Sequence, residues 1–409
     1  MISLDEARAH VLDRVSVLAP QRTAVADALG LVLAEAVTSP GDVPPFANTA
    51  MDGYAVRAAD LAGAAAHHPV RLPVVAEVAA GHPVPRALQA GEAMRIFTGA
   101  PMPDGADAVV VVEQTERLDD GDTVAVLTEV EAGLHVRPAG DDLNAGDAVF
   151  GPGDVLGPGH LGVLSGLGAV TVQAHPRARV GVLSTGDELV PPGQPLGPGQ
   201  IYDSNRVALL ALVDQVGGTP VDLGLVPDDE GAVTDALQAA AASCDVVLTS
   251  GGVSMGDIDL VKIVLGRIGD LRWMQIAIRP AKPFAFATVG ERATPVLGLP
   301  GNPVSSMVSF ELLARPVLRK RSGHRVVLRP TRPAVAGEAL RRRSDGRVHY
   351  VRVTVDVDGQ GRLVVRSSGA QGSHHLTAMA RADGLAVLPD GDGVDVGDAL
   401  DVLLLADPS

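Results

Sequence analysis

The sequence has very few aromatic residues and a single cysteine. One tryptophan, three tyrosines and six phenylalanines make up 2% of its 409 residues. Aromatic side chains dominate the contacts that hold protein partners, and there is no long linker or appended domain, so a scaffold that binds a partner peptide has little support. The lone Cys244 excludes an internal disulfide and a cysteine-rich zinc site. Because it opens the apolar segment 244–248, we expect a buried structural thiol rather than a nucleophile.

Long apolar runs and basic charge are also scarce. No segment approaches the roughly 20 uninterrupted apolar residues of a membrane-spanning helix. The first six residues carry acids and no basic segment precedes an apolar stretch, so we expect no secretory signal and place the protein in the cytoplasm. The formal net charge of -16 argues against general nucleic-acid binding, which needs a basic face. An anionic ligand must therefore find local cations or a bridging metal.

The length and the changes of pattern along the chain indicate several folding units. A chain of 409 residues is too long for one ordinary core. Apolar spacing predicts an amphipathic helix over 4–18. From 43 to 138, short β-like runs broken by glycine and proline predict a small β domain. Between 140 and 168 these two residues recur so densely that we expect turns and short helices that return to the first unit.

An α/β domain is predicted from Arg179 onward. Apolar runs suited to strands alternate there with helical periodicity, as repeated strand-helix-strand units require. Ser204 can cap one helix, and Asn302 followed by Pro303 gives a favourable start for another. After Gly323 the pattern returns to β alternation. A second β domain is therefore expected to close the chain.

Three glycine-bearing segments follow predicted strands of the α/β domain. They span 184–188, 249–254 and 299–303. In a parallel sheet they would share one edge, which is where open α/β sheets bind ligands. Backbone N–H groups at glycine turns and helix starts can cradle phosphate oxygens. One such loop is weak evidence, since glycine after a strand is usually just a turn, but three predict a pocket for an anionic ligand.

Acidic side chains crowd the same loops. They are Asp187, Glu188, Asp228, Asp257 and Asp259. Acids beside a phosphate cradle are consistent with Mg²⁺, which prefers carboxylates, phosphates and water. The alternative is that they are solvated loop acids and helix caps, and Asp257 could equally cap the following helix.

Two cations lie three residues apart between prolines, in the segment 278–283. They are Arg279 and Lys282, and only three of the 33 basic residues in the chain are lysines. Pro280 and Pro283 stiffen the backbone around them, so the segment could clamp an oxyanion. An exposed charge pair between strands is the competing interpretation.

Taken together, several strings resemble the MoeA family, whose eukaryotic counterparts are gephyrin and the plant Cnx1 E domain. They span 48–55, 95–100, 105–110 and the three glycine loops, in order over nearly the whole chain. The resemblance implies a multidomain α/β plus β fold: a MogA-like α/β domain with an inserted β domain, a helical linker and dimerisation unit and a C-terminal β barrel. The expected boundaries are 1–42 with 139–177 for the helical unit, 43–138 for the inserted domain, 178–323 for the α/β domain and 324–409 for the barrel.

The resemblance also implies roles for matching positions. Catalytic roles are implied for Asp52, Thr98, Glu188, Asp259 and Lys282. Substrate-binding roles, for the pterin phosphates and for molybdate, are implied for Asp228, Ser250, Gly251, Gly252, Ser254, Arg279, Pro283, Ser305 and Arg352. The expected ligands of Mg²⁺ are Asp187, Asp257 and Asp259.

The cationic segment departs from the commoner family pattern Lys-Pro-Gly-Lys-Pro. Arg279 replaces the first lysine and Ala281 replaces the glycine. Charge is kept, but arginine practically never gives up its proton. Lys282 is therefore the better candidate for proton transfer.

The implied activity is insertion of molybdenum from molybdate into molybdopterin-AMP, with Mg²⁺ required and AMP and molybdenum cofactor released. The family acts as homodimers, and transient contact with a MogA-like adenylyltransferase and with molybdoenzymes is expected. One rival is an adenylyltransferase that makes the AMP adduct from ATP; such a protein is usually the α/β domain alone, so the additional domains argue against it. The other rival is a peptide-binding scaffold, a role that gephyrin has beside its enzymatic one.

Overall fold

The computed structural model describes residues 1–118, 121–252 and 259–405, which form two compact units. The first unit contains Met1–Ala34, Pro152–Leu161 and Thr171–Ser409. The second contains Glu35–Gly151 and Gly162–Val170. The finer division into four parts stays a prediction.

A six-stranded sheet forms the centre of the first unit. In spatial order its strands are Thr219–Val226, Arg179–Thr185, Val246–Ser250, Thr294–Leu299, Pro283–Val289 and Gly269–Gln275. The first four are parallel to one another, and the last two pair antiparallel. The two central strands are buried along their whole length, as expected for parallel strands covered on both faces.

Helices cover both faces of this sheet. They are Asn205–Gln215, Glu230–Ser243, Leu260–Ile268 and a continuous helical run made of Pro303–Ser309, the π-helical Phe310–Ala314 and Arg315–Arg321. One core contains Phe284, Phe286 and Phe310, and the core on the other face contains Leu237, with the buried thiol of Cys244. The predicted alternation of strands and helices is confirmed.

The first helix is shorter than its apolar spacing predicts. It spans Leu4–Leu12 and begins with a capping box, in which the Ser3 hydroxyl accepts from the Glu6 N–H while the Ser3 N–H donates to the Glu6 carboxylate. Beyond the turn after Leu12, residues 15–20 form no regular element, although Val15 is buried. The predicted helix over 4–18 was wrong at its end, because apolar spacing reports burial and an irregular segment can bury a side chain equally well.

The caps of two later helices also differ from the prediction. Ser204 and Asn302 occupy the N-cap positions, but neither side chain makes a capping hydrogen bond. At the first of these helices Asp203 accepts from the backbone N–H of Arg206 instead, at 3.2 Å. A buried carboxylate therefore satisfies the donor that the serine was expected to bind.

The C-terminal strands close into a five-stranded barrel. Around the ring they are Val348–Val357, Leu363–Ser367, Thr331–Ala336, Ala399–Leu404 and Gly384–Leu388, which pairs with the first. Closure leaves no unpaired sheet edge. The short strand Ile278–Arg279 pairs in parallel with Val348 and His349 of the barrel. The predicted barrel is confirmed, and this pairing attaches the cationic segment to it.

The second unit is built on another six-stranded sheet. Its spatial order is Ala108–Val111, Gly53–Val56, Ala93–Ile96, Ala65–Val78, Thr123–Thr128 and Thr115–Leu118. Tyr54 and Ala55 belong to different apolar clusters, because successive side chains of a strand point to opposite faces. A Cβ atom on Gly53 would lie 2.0 Å from the Val110 carbonyl oxygen, so only glycine fits beside Asp52. The predicted β domain is confirmed.

The segments 1–42 and 139–177, which were predicted to form a helical unit, contain strands as well as helices. Their helices are Leu4–Leu12 and Pro158–Gly166. They also contain a three-stranded sheet, in the order Gln21–Ala24, Thr171–His175 and Val32–Leu33, which the sequence pattern did not predict. Across the described ranges, no helix has the length and apolar character needed to cross a membrane.

A buried ion-pair cluster stabilises the helical run that begins at Pro303. Glu311 is 6% exposed, and its carboxylate accepts from Arg329 at 2.6 and 3.3 Å and lies 3.7 Å from Arg315. The Glu311→Ala variant leaves two largely buried guanidinium groups without this partner, so we expect a loss of about 3–5 kcal/mol in the free energy of unfolding. Denaturant unfolding followed by Trp273 fluorescence measures it. Glu291→Ala, at an exposed position, should change it little, and a loss below about 1 kcal/mol for Glu311→Ala would contradict a stabilising role of the cluster.

Candidate active site

A cavity of about 730 Å³ opens at the carboxyl ends of the parallel strands in the first unit. Its walls come from the ends of the strands at Thr185, Ser250 and Pro300, and from the segment 278–283. Arg347 and the loop 371–374 supply the wall on the barrel side. The volume lies within the range of about 300–1,000 Å³ that is usual for small-molecule sites.

The strand register brings the three glycine loops together. Ser184 pairs with Ser250, which pairs with Leu299, so all three strands end at the same level of the sheet. A Cβ atom on Gly252 would lie 2.4 Å from a Val261 methyl carbon, and the φ of Gly252 is +68°. Only glycine allows this close turn. The common level at which the strands end confirms that the loops begin at one edge.

Four of the residues with a predicted role in binding or moving the oxyanion line the cavity. They are Arg279, Lys282, Pro283 and Ser305. The Arg279 side chain is 59% exposed and lies 3.8 Å from the Asp345 carboxylate. Arg347, His349 and Arg342 also contact Asp345, and hydrogen bonding by Arg347 holds the pKa of Asp345 well below its ordinary range. This acid therefore stays ionised and balances part of the positive charge at the cavity.

Ala281 shows a conformational consequence of the departure from the family pattern. Its φ is +74°, in the left-handed region that glycine enters freely and alanine enters at a cost of about 1–2 kcal/mol. Its side chain is 3% exposed and packs in the same core as Phe284. Packing of the Ala281 methyl group in the core therefore helps to hold a backbone conformation that is unfavourable for alanine.

The predicted acidic residues occupy different positions relative to the cavity. Glu188 lines the cavity. Asp187 and Asp228 lie outside its lining and bond each other: the Asp187 N–H donates to the Asp228 carboxylate at 3.3 Å, and the Asp228 N–H donates to the Asp187 carboxylate at 3.2 Å. Asp259 is the N-cap residue of the helix Leu260–Ile268, the position that the sequence had suggested for Asp257.

Further predicted positions are the phosphate-loop residues and one predicted Mg²⁺ ligand. Gly251 lines the cavity and Gly252 does not, while Ser254 and Asp257 lie outside the described residues. Among the residues that the structure describes, no group of three or more His, Cys, Asp or Glu side chains is arranged to hold a metal ion. The predicted Mg²⁺ ligands therefore stay a prediction.

Arg352 lies behind the cavity wall. It is 1% exposed and borders a neighbouring cavity of about 560 Å³. Its guanidinium donates to the carbonyl oxygens of Ala370 and Gly372 at 3.0 and 3.2 Å, and Gly372 lines both cavities. Burial lowers the pKa of Arg352 to about 10, so the side chain is still charged at neutral pH. It supports the loop that forms the wall.

Asp52 and Thr98 form a hydrogen-bonded pair in the second unit. The Thr98 backbone N–H and hydroxyl each lie 2.7 Å from the same Asp52 carboxylate oxygen. These bonds, the backbone one first, lower the pKa of Asp52 from its ordinary value. The sequence placed both residues in motifs but did not predict their direct contact. The pair presents an exposed, ionised carboxylate in a fixed position.

Several residues that line the cavity were not predicted as site residues from the sequence. They include Asn205, Gln371 and His374. Asn205 is the first residue of a helix and joins two loops through its side chain, while the other two come from a loop beside the barrel. No local pattern identifies such residues, because their place depends on tertiary contacts.

Family models match three consecutive parts of the chain. Residues 2–168 match the MoeA N-terminal region, domains I and II. Residues 181–320 match a probable molybdopterin binding domain, and residues 334–405 match the MoeA C-terminal region, domain IV. A central α/β domain of the MogA type, flanked by these two regions, is thus the class that fold and sequence define.

Full-length relatives agree with this class. The molybdopterin molybdenumtransferase of Haemophilus influenzae is 37% identical over 98% of each chain. Molybdopterin molybdenumtransferase 2 of Mycobacterium tuberculosis is 40% identical over 97% of each chain. Two solved structures of the MoeA protein of Pyrococcus horikoshii superpose with TM-scores of 0.83 and 0.81, at 32% and 28% identity, over at least 99% of this chain and 100% of each of those. The chain belongs to the MoeA family.

The Asp52–Thr98 pair gives a prediction about pH. In Thr98→Val the hydroxyl donor is lost and the backbone donor remains, so the pKa of Asp52 should rise from its depressed value while staying below its ordinary one. Because Asp52 would then take up its proton at a higher pH, any activity that needs the carboxylate should fall off at a higher pH on the acid side. NMR titration of the Asp52 carboxyl carbon measures the shift directly. Thr98→Ser keeps both donors and should titrate like the wild type; equal pKa values in all three proteins would contradict the assignment.

Proposed function

We propose that this protein inserts molybdenum from molybdate into adenylylated molybdopterin and releases AMP and molybdenum cofactor. The observation that carries the proposal is the meeting of three glycine loops and the cationic segment at one cavity. Backbone N–H groups at the loops suit phosphate oxygens, and Arg279 and Lys282 suit an oxyanion. The names of the full-length relatives support the same activity.

The physical task of this reaction is to bring two anions together in a protein whose net charge is -16. Local cations must overcome both the mutual repulsion of the ligands and the field of the chain. In a partly desolvated site each opposing cation can contribute several kcal/mol of transition-state stabilisation. Arg279 is assigned to holding the oxyanion, because its guanidinium keeps its proton. Lys282 is assigned to proton transfer, and the remaining work is positioning.

Magnesium belongs to the proposal. Mg²⁺ commonly takes one or two carboxylates and completes its shell with substrate phosphates and water. Asp187 and Asp228 each use a carboxylate oxygen in their mutual pair, and both side chains are exposed. Exposed carboxylates such as these suit an ion that takes its other ligands from phosphate and water. We propose that Asp187, Asp257 and Asp259 hold Mg²⁺ and that Asp228 lies close by. When bound, the ion would neutralise phosphate charge.

The proposal also includes association of two copies and catalytic roles for Asp52 and Thr98. Both rest on the resemblance to the family. Light scattering of the purified protein should give twice the mass of one chain, and a monomer that is fully active would overturn the homodimer.

Lys282→Ala provides the main test of function. Purified protein is incubated with molybdopterin-AMP, molybdate and Mg²⁺, and AMP release is measured. Loss of this cation should lower the rate of molybdate-dependent release by about 10²–10³-fold. Lys262→Ala is the matched control, because Lys262 packs over the Trp273 ring at 4.6 Å and is not among the residues that line the cavity. Asp259→Ala tests the acidic side in the same assay and should also abolish release.

The alternative activities give different results in this assay. An adenylyltransferase would release no AMP from the adduct but would adenylylate free molybdopterin when ATP is supplied. A scaffold would be inactive in both reactions. A wild-type rate that does not depend on molybdate, or equal rates for Lys282→Ala and Lys262→Ala, would overturn the proposed role of the cationic segment.

A further inference from the structure

The Asn205 side chain joins two of the three glycine loops. Its amide nitrogen donates to the Ser250 hydroxyl oxygen at 2.8 Å and to the Gly301 carbonyl oxygen at 2.7 Å. An asparagine amide group has two N–H donors, so both are used in these bonds. One side chain therefore fixes the loop after Val246–Ser250 to the loop after Thr294–Leu299.

This bond sets the direction in which Ser250 can donate. A hydroxyl carries one donor hydrogen, which rotates to suit its surroundings. Because the oxygen of Ser250 accepts from Asn205, its hydrogen must point elsewhere, and in the described part of the chain no protein acceptor receives it. Ser250 is 2% exposed and lines the cavity. The hydroxyl is therefore placed to donate to a ligand oxygen in the cavity.

The start of the Asn205 helix is itself fixed to the sheet. The preceding Asp203 is 1% exposed and accepts from the Ser184 hydroxyl at 3.2 Å and from Arg206 at 2.9 Å. Arg206 also bonds Asp222 on the edge strand, at 2.5 and 2.6 Å. The position of the Asn205 amide is thus determined by two neighbouring strands, so the amide can orient Ser250 and does not merely follow it.

We propose that Asn205 is a positioning residue that locks the Ser250 and Gly301 loops together and directs the Ser250 hydroxyl as a donor to a phosphate oxygen of the adenylylated substrate. The inference rests on the proposed function in so far as it places a phosphate at these loops. A hydrogen bond to a charged oxygen contributes more than a neutral one, so the orientation of this donor affects binding directly.

Aspartate at position 205 reverses the hydrogen-bonding role of the side chain. An aspartate has nearly the same shape but only accepts when ionised. It would draw the Ser250 proton toward itself, away from the ligand, and would place a negative oxygen against the Gly301 carbonyl. Asn205→Asp should therefore bind a phosphate ligand more weakly than Asn205→Ala. Because repulsion between the new carboxylate and the phosphate acts in the same direction, the double-mutant cycle decides between orientation and packing.

The test is a double-mutant cycle with AMP as the binding probe. Calorimetry measures AMP affinity for the wild type, Asn205→Ala, Asn205→Asp, Ser250→Ala and the Asn205→Ala/Ser250→Ala double variant. Asn205→Ala and Ser250→Ala should each weaken binding by about 10-fold to 100-fold. The double variant should bind much more tightly than two independent losses predict and only a little more weakly than Ser250→Ala alone, because Asn205 acts mainly through that hydroxyl and only secondarily through the Gly301 loop. Asn144→Ala, at an exposed position outside the cavity lining, is the control.

Thermal unfolding of every variant shows whether the fold is kept, and Asn205→Ser replaces the alanine variant if that one does not fold. Multiplying losses in the double variant, wild-type affinity in Asn205→Ala, or no AMP binding by the wild type would overturn the inference. The proposed function is judged separately by AMP release from molybdopterin-AMP. A wild type that binds AMP but releases none contradicts that function, while the cycle still decides the role of Asn205.

Discussion

The candidate site depends on the register of three parallel strands. Ser184, Ser250 and Leu299 lie at the same level because each pairs directly with its neighbour. A slip by one residue would move every side chain of a strand to the opposite face of the sheet and so disrupt the cores on both faces. The chain must turn after each strand, so three loops begin at one edge. Gly252, at one of those turns, has a backbone geometry that a Cβ atom would block. The anion binding that we propose for the site would follow from this constraint and not from net charge.

The cavity is lined by several basic side chains, although the chain as a whole is acidic. With a formal net charge of -16, the protein concentrates cations where the cationic segment meets the barrel. There Arg279 and Arg347 share Asp345 as a partner. The parallel pairing of Ile278–Arg279 with Val348 and His349 holds this segment in place between two sheets. The barrel therefore contributes to the site by fixing a neighbouring segment as well as by lining the wall.

The sequence predicted the elements that repeat and missed the contacts that are unique. Apolar alternation located the strands of the α/β domain because each strand must be buried, and the same reasoning overextended the first helix because Val15 is buried without being helical. Ser204 occupies the predicted N-cap position but makes no capping hydrogen bond. The Arg206 N–H donates to Asp203 instead, and the burial of Asp203 that allows this depends on the tertiary fold. The Asn205 bonds span 45 and 96 residues of sequence. Periodicity and propensity carry no information at such separations.

At Ala281, where the commoner family pattern has glycine, an unfavourable backbone conformation competes with favourable burial of the side chain. A left-handed alanine costs about 1–2 kcal/mol, while burying its methyl group gains about 0.8 kcal/mol, so the burial offsets only part of the backbone cost at a position where glycine would carry neither term. Glycine would also have more freedom in the unfolded chain, which alanine restricts. The segment between Arg279 and Lys282 is thereby stiffened by packing and by its prolines together. In the role that we propose for Arg279, a planar guanidinium that binds an oxyanion needs a defined orientation, and this stiff backbone would supply it more directly than the flexible glycine of the commoner pattern.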